Sequence, residues 1–178
     1  MPYIQSILDD IGIQYAKKEE LSVFTQTKND GSFCSAGGSI GIDLNEKAKD
    51  KVLAYNPFVS TIHEMCHSAV DSSGELKRQL REFVSQHNAL ETEWTLDGHK
   101  LLYGKLDIPM PSPYCTFIRS KQKNHPEEEL LSMFFTCLLS DTTLRNDMNA
   151  TIRTGTDFAR LYPDYFNGIM RILRGLKK

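Results

Sequence analysis

Histidines at positions 63 and 67 bracket Glu64 in the run His63-Glu64-Met65-Cys66-His67, an HExxH pattern. On a helix, residues four apart share a face, so both imidazoles can present a ring nitrogen to one Zn²⁺ ion while Glu64 stands beside them. The chemistry these residue types allow is peptide-bond hydrolysis. Zinc brings the pKa of a bound water to about 7, and Glu64 takes the proton as hydroxide attacks the scissile carbonyl, later returning it to the leaving amine. A catalytic zinc takes three protein ligands and keeps one position open, so a third donor must come from elsewhere in the chain. The residues alone leave four candidates: Glu129 at the start of an apolar helix, Asp71 one turn past His67, Glu93 with Asp97 one turn later, and His125. Asp71 is more naturally a partner that orients a ligand histidine. Glu127, Glu128 and Glu129 have a competing explanation as charges favoured at a helix N-terminus, by about 0.3–1 kcal/mol each. His87, His99 and His125 are by default ordinary polar or packed histidines.

The motif needs a helix to carry it. Asn56-Pro57 supplies a cap and a first-turn proline, and Val59, Ile62, Cys66, Ala69 and Val70 recur at helical spacing as far as Gly74. Upstream, a short helix is expected over Ile4–Asp10 and strands around Ile11–Tyr15 and Leu21–Thr27. Asn29-Asp30-Gly31 is a turn before Phe33-Cys34, and Gly37–Leu44 is a glycine-rich strand able to hold an extended peptide by backbone pairing. Downstream, Leu76, Leu80, Phe83, Val84, His87, Leu90 and Trp94 form one stripe, which predicts a second helix over Glu75–Thr95 stopped by Asp97-Gly98. Asp107–Asn124, with Pro109, Pro111 and Pro113, is expected to be a long loop bordering the cleft. Asn124-His125-Pro126 starts a largely buried third helix carrying Leu130, Leu131, Phe134, Phe135, Leu138 and Leu139. Tyr162-Pro163-Asp164 starts a last helix with Tyr165, Phe166, Ile169, Met170, Ile172 and Leu173.

The 178 residues suit a single domain, with a sheet and motif helix over about 1–74 and a helical subdomain over about 75–178. A hydrophobic fraction of 40% and a charged fraction of 25% are ordinary for a globular chain, and a net charge of −2 gives no pull toward nucleic acid. No stretch approaches the roughly 20 apolar residues of a membrane span, and Met1-Pro2-Tyr3-Ile4-Gln5 does not begin a classical signal peptide. Cys34, Cys66, Cys115 and Cys137 contain no CxxC pair and are expected as free thiols. A cytoplasmic location is expected, or secretion without a classical signal and delivery into a target cell. A monomer acting on a protein or peptide is the expected state.

Two segments together resemble the catalytic domain of anthrax lethal factor and its relatives, a group that includes secreted proline-specific endopeptidases. His63–Asp71 is similar to that family's HExxH followed by a small residue, valine and aspartate, and Pro126–Phe134 is similar to its helix bearing a glutamate before two large apolar residues. Ser140-Asp141 and the helix from Asp164 extend the likeness, which covers roughly Asn56–Leu173. The resemblance implies a zincin-like α+β fold, a small twisted mixed sheet beside the motif helix followed by a mainly helical C-terminal half. It also implies that Glu129 is the third zinc ligand with His63 and His67. The family stabilises the oxyanion with a tyrosine shortly before that ligand. Lys121-Gln122-Lys123 stands there in this chain, so the role would fall to Tyr114, the nearest upstream tyrosine, and Met133 replaces a second family glutamate. A zinc endopeptidase, in the manner of a selective effector or toxin, is thus expected. The rival expectations are a zinc-stabilised binding or regulatory module that cuts nothing, and a metal-free structural protein.

Overall fold

The computed structural model describes residues 23–26, 33–34, 40–43, 57–96, 98–118, 125–139, 144–145, 151–152 and 157–176. The elements expected over Ile4–Asp10 and Ile11–Tyr15, the turn at Asn29-Asp30-Gly31, and Ser140-Asp141 lie outside the described residues. Strands β1 (Val23–Gln26), β2 (Phe33–Cys34) and β3 (Ile40–Asp43) form a mixed sheet in the order β1-β3-β2. The first pair is parallel, Val23 opposite Ile40 through Gln26 opposite Asp43, and the second is antiparallel, Phe33 opposite Gly41. Helix α1 (Pro57–Ser72) lies against β2 and β3, beginning at its proline as the missing amide hydrogen and fixed φ favour.

Every residue from Val59 to Val70 in α1 is buried, polar ones included. An amphipathic helix would leave one face wet; this one is enclosed, so each polar side chain on it must find a partner inside the protein. Helix α2 (Gly74–Gln86) follows at once, started by Ser73, whose hydroxyl oxygen accepts the Leu76 N–H at 3.3 Å. Its stripe of Leu76, Leu80, Phe83 and Val84 is buried, while Arg78 bridges Glu75 and Glu82 on the wet side.

The helix expected over Glu75–Thr95 ends at Gln86. Asn88 takes a left-handed conformation (φ +48), which asparagine tolerates better than most residues, and the chain turns into a hairpin of β4 (Leu90–Leu96) and β5 (His99–Lys105). Strand β4 alternates: Trp94 is buried while Glu91, Glu93 and Thr95 face outward. Gly98, expected as a helix stop, sits in the hairpin turn at φ +81, where a Cβ would be strained. The proline-rich segment is also more ordered than a loop. A 3₁₀ turn at Pro113–Thr116 is capped by Ser112 Oγ accepting the Tyr114 N–H at 3.1 Å, and β6 (Phe117–Ile118) pairs with β5, Tyr103 opposite Phe117. Residues 90–118 therefore contain an antiparallel sheet in the order β4-β5-β6, which the expectation of a mainly helical C-terminal half did not include. The described residues are mixed α and β.

Helix α3 (Leu130–Leu139) packs on α1 and is buried from Leu130 to Cys137. The short helix α4 (Phe158–Leu161) and helix α5 (Pro163–Gly175) close the core, α5 burying Tyr165, Ile169, Ile172 and Leu173. Tyr165 Oη donates to the Leu130 carbonyl oxygen at 2.5 Å, and its ring joins those of Phe134 and Phe158 with centroids 5.5–6.1 Å apart. Strands β7 (Leu144–Arg145) and β8 (Thr151–Ile152) pair as an antiparallel ribbon. Cys66, Cys115 and Cys137 are free and buried, and burial pushes the Cys115 thiol up to about 12. No described helix is long and apolar enough to cross a membrane.

Gly168 of α5 lies against Phe83 of α2, and a Cβ there would overlap the ring edge and stand 3.0 Å from Cδ2. Gly168→Ala is expected to lower stability by about 1–3 kcal/mol through overpacking. Gly74→Ala, where a Cβ meets nothing within 4 Å, should change it by less than about 0.5 kcal/mol. Urea denaturation of the two variants checks this, and equal midpoints would contradict the packing described.

Candidate metal centre

The HExxH residues occupy the part of α1 that faces α3. Exposure is 2% for His63, 5% for Glu64 and 9% for His67. Glu129 comes from the turn immediately before α3, where its carbonyl oxygen accepts the Met133 N–H at 2.9 Å and so opens the helix. That makes Glu129 the cap residue of α3 and not, as expected, a residue of its first turn.

The three side chains converge. His63 Nε2 lies 3.2 Å from Glu129 Oε2, His67 Nε2 lies 3.3 Å from the same oxygen, and the two Nε2 atoms are 3.2 Å apart. A tetrahedral ion bound at about 2.0–2.1 Å holds its ligand atoms roughly 3.3–3.4 Å from one another, so the observed triangle fits such an ion closely. The donor set fits too: two imidazoles and a carboxylate suit zinc and several other first-row divalent metals. His63, His67 and Glu129 are the group among the described residues that could hold a metal ion.

Electrostatics around Glu129 run in two directions. Complete burial alone would raise its pKa, but the two imidazoles facing it hold the carboxyl well below the usual carboxylate range. A charged carboxylate so placed is ready to be a ligand. Burial, with the Glu64 charge added to it, pushes the neighbouring Cys66 thiol far up, so Cys66 is an inert packing thiol.

The other sequence candidates are elsewhere. Asp71 is exposed at the end of α1 and pairs with Lys77 at 3.4 Å, so it orients neither histidine; the helix has left the core by that turn. Glu93 points outward from β4 and pairs with Lys100 at 3.1 Å. Asp97 lies outside the described residues. His125 lies 3.3 Å from Arg81 Nη2 and 3.4 Å from Glu127 Oε1. Tyr114 is close to the centre, its ring centroid 6.4 Å from that of His63, and it stacks on Phe117 at 5.4 Å and 7°. Lys121-Gln122-Lys123 lies outside the described residues.

Two supports were not read from the sequence. The first is Thr136 on α3, whose Oγ1 lies 3.2 Å from His63 Nδ1; a threonine inside an apolar helix carries no signal of this. The second is the hold on the turn that presents Glu129. Glu127 is buried, and its Oε1 accepts from Arg81 Nε of α2 at 2.6 Å. Behind that turn, Gly104 of β5 lets Pro126 approach so closely that a Cβ would stand 3.0 Å from Pro126 Cβ. Helix α2 and the antiparallel sheet thus grip the turn from two sides.

Glu129→Ala should abolish stoichiometric metal uptake, whereas Glu93→Ala and Asp71→Ala should keep it, as elemental mass spectrometry of the purified proteins would report. Zinc at about a hundredfold excess over its Kd should stabilise the wild type by about 2.7 kcal/mol and leave the Glu129→Ala melting temperature almost unmoved. Arg81→Ala strands the buried Glu127 carboxylate and is expected to cost about 1–3 kcal/mol, less than a fully buried pair because Arg81 is itself half exposed; a urea midpoint equal to wild type would contradict the grip just described.

Compared with known proteins, the chain matches no family model, no curated protein and no solved structure.

Proposed function

We propose that this chain is a zinc-dependent endopeptidase of zincin-like fold, with His63, His67 and Glu129 as the metal ligands and Glu64 as general base. The observation that carries this reading is the closure of the two histidines and a glutamate from a distant turn into a triangle of 3.2–3.3 Å sides, with the motif glutamate buried on the same helix. The likeness of His63–Asp71 and Pro126–Phe134 to the lethal factor family supports the same assignment, as does a mixed sheet lying against the motif helix.

Zinc, when bound, supplies Lewis acidity that brings the pKa of a water to about 7 and polarises a carbonyl. The chain's own residues do the rest. Glu64 accepts the proton of the attacking water on its carboxylate and passes it to the nitrogen of the leaving amine, so the carboxylate is restored each turnover. Tyr114, beside His63, is the candidate to donate a hydrogen bond to the oxyanion as negative charge collects on the former carbonyl oxygen. The substrate class is a protein or peptide, and selective cutting, as by an effector or toxin, suits the reading better than digestion.

One observation favours a second reading. All three ligand side chains are buried, Glu129 completely, as in a metal site that serves only to stabilise a binding or regulatory module. The two readings part at Glu64. A peptidase requires that Glu64→Gln retain zinc, fold as wild type and lose at least about 10²-fold in kcat on a peptide that the wild type cleaves. Tyr114→Phe should keep zinc and lower kcat without a matching rise in KM. Zinc in the wild type with no cleavage across a peptide library selects the module, and unchanged cleavage by Glu64→Gln removes the mechanism.

A further inference from the structure

His63 is held from both ends by α3 and the turn before it. On one side its Nε2 faces Glu129 Oε2 at 3.2 Å; on the other its Nδ1 faces Thr136 Oγ1 at 3.2 Å. Thr136 is seven positions after Glu129, two helical turns or roughly 10 Å along an axis, a gap that the imidazole and the glutamate side chain together span. One rod therefore controls both ring nitrogens of this histidine.

The Thr136 hydroxyl is not a neutral neighbour. It donates to the Ser132 carbonyl oxygen one turn earlier at 2.8 Å, the ordinary back-bond of a threonine inside a helix. A hydroxyl has one proton and two lone pairs. With the proton committed to Ser132, what Thr136 Oγ1 offers His63 is a lone pair, and the facing ring nitrogen must be the donor. A neutral imidazole with its proton on Nδ1 carries its lone pair on Nε2, which faces the Glu129 carboxylate and His67, and a cation bound among the three is what reconciles these acceptors. The opposite tautomer would set two lone pairs against each other at 3.2 Å in a site where Thr136 has no exposure to water and His63 only 2%.

We propose that Thr136 is a positioning residue that fixes His63 as the Nδ1–H tautomer and so aims the Nε2 lone pair at a metal held with His67 and Glu129. The inference rests on the metal-site half of the reading above and not on peptidase activity. It assigns to a hydroxyl on α3 the orienting task that the sequence suggested for Asp71.

The test uses the full chain, stripped of metal by a chelator and titrated with zinc alone. Zinc affinity is measured by competition with a chromophoric chelator for wild type, Thr136→Val and Thr136→Ser, and the ring nitrogens of His63 are read by ¹⁵N NMR in the zinc-loaded wild type. Thr136→Val keeps the shape and removes the oxygen, and is expected to bind zinc about 10–100-fold more weakly. Thr136→Ser restores the oxygen and should lie within a few-fold of wild type, a rescue that loss of packing alone would not give. In the zinc-loaded wild type, His63 should coordinate through Nε2 and carry its proton on Nδ1. Thr136→Val with wild-type affinity, Thr136→Ser as weak as Thr136→Val, or coordination through Nδ1 would each overturn the proposal, and the last is readable even where the valine variant does not fold. A wild type that takes up no zinc would overturn it together with the metal reading, whereas zinc uptake without cleavage of any peptide removes only the peptidase.

Discussion

A carboxylate wholly removed from water stays charged only if positive or proton-donating groups face it, and Glu129 has no exposed surface. What faces it is a pair of imidazoles from another helix, able to serve as protonated donors or as co-ligands of a cation, so the packing of α3 on α1 and the chemistry of the centre are one constraint. If the two helices slid by a single turn, about 5.4 Å, the carboxylate would lose at least one of the two imidazoles that face it. Much of the surrounding structure can be understood as preventing that slip. Tyr165 bonds the Leu130 carbonyl next to Glu129, Arg81 grips Glu127 two residues before it, and Gly104 leaves room for Pro126 against the sheet.

The enclosure of α1 follows from the same constraint. A helix buried on all sides is unusual in a chain of this size, and its sequence is not uniformly apolar: Ser60, Thr61, His63, Glu64, His67 and Ser68 are buried with the hydrophobic residues. Burial of this polar set costs free energy that a purely structural helix would avoid by substituting alanine and leucine. Two histidines on that buried helix, with Glu129 facing them, form the group that could hold a metal ion. The antiparallel sheet contributes as well: Phe117 of β6 stacks on Tyr114 of the preceding 3₁₀ turn, whose ring lies beside His63.

Sequence and structure agree best where local signals are strong. Pro57 and Pro163 open helices as first-turn prolines do, the apolar run from Leu130 makes a buried helix, and HExxH puts both histidines on one face. The third member of the His63–His67–Glu129 cluster was only partly legible, since residue types alone left Glu129, Asp71, Glu93 and His125 open and the likeness to a known family singled out Glu129. The stretch after α2 was misread because Leu90 and Trp94 continue a helical spacing by coincidence. Asn88 at positive φ and the alternation around Trp94, decided by pairing with β5, set the true outcome. Asp71 was misjudged because helical spacing gives direction but not depth, and the helix leaves the core between Val70 and Asp71. Thr136 could not have been found without the fold, because the only thing that marks it is the ring nitrogen across from it.

The enclosure of α1 also bears on motion. Every residue from Val59 to Val70 is buried, so exchange of these amide hydrogens waits for openings of the core around α1. The histidines ride on that slow segment. Whatever ligand approaches the centre therefore meets a stationary triad, and the adjustments that admit it fall to the parts of the molecule around α1 and not to the helix itself.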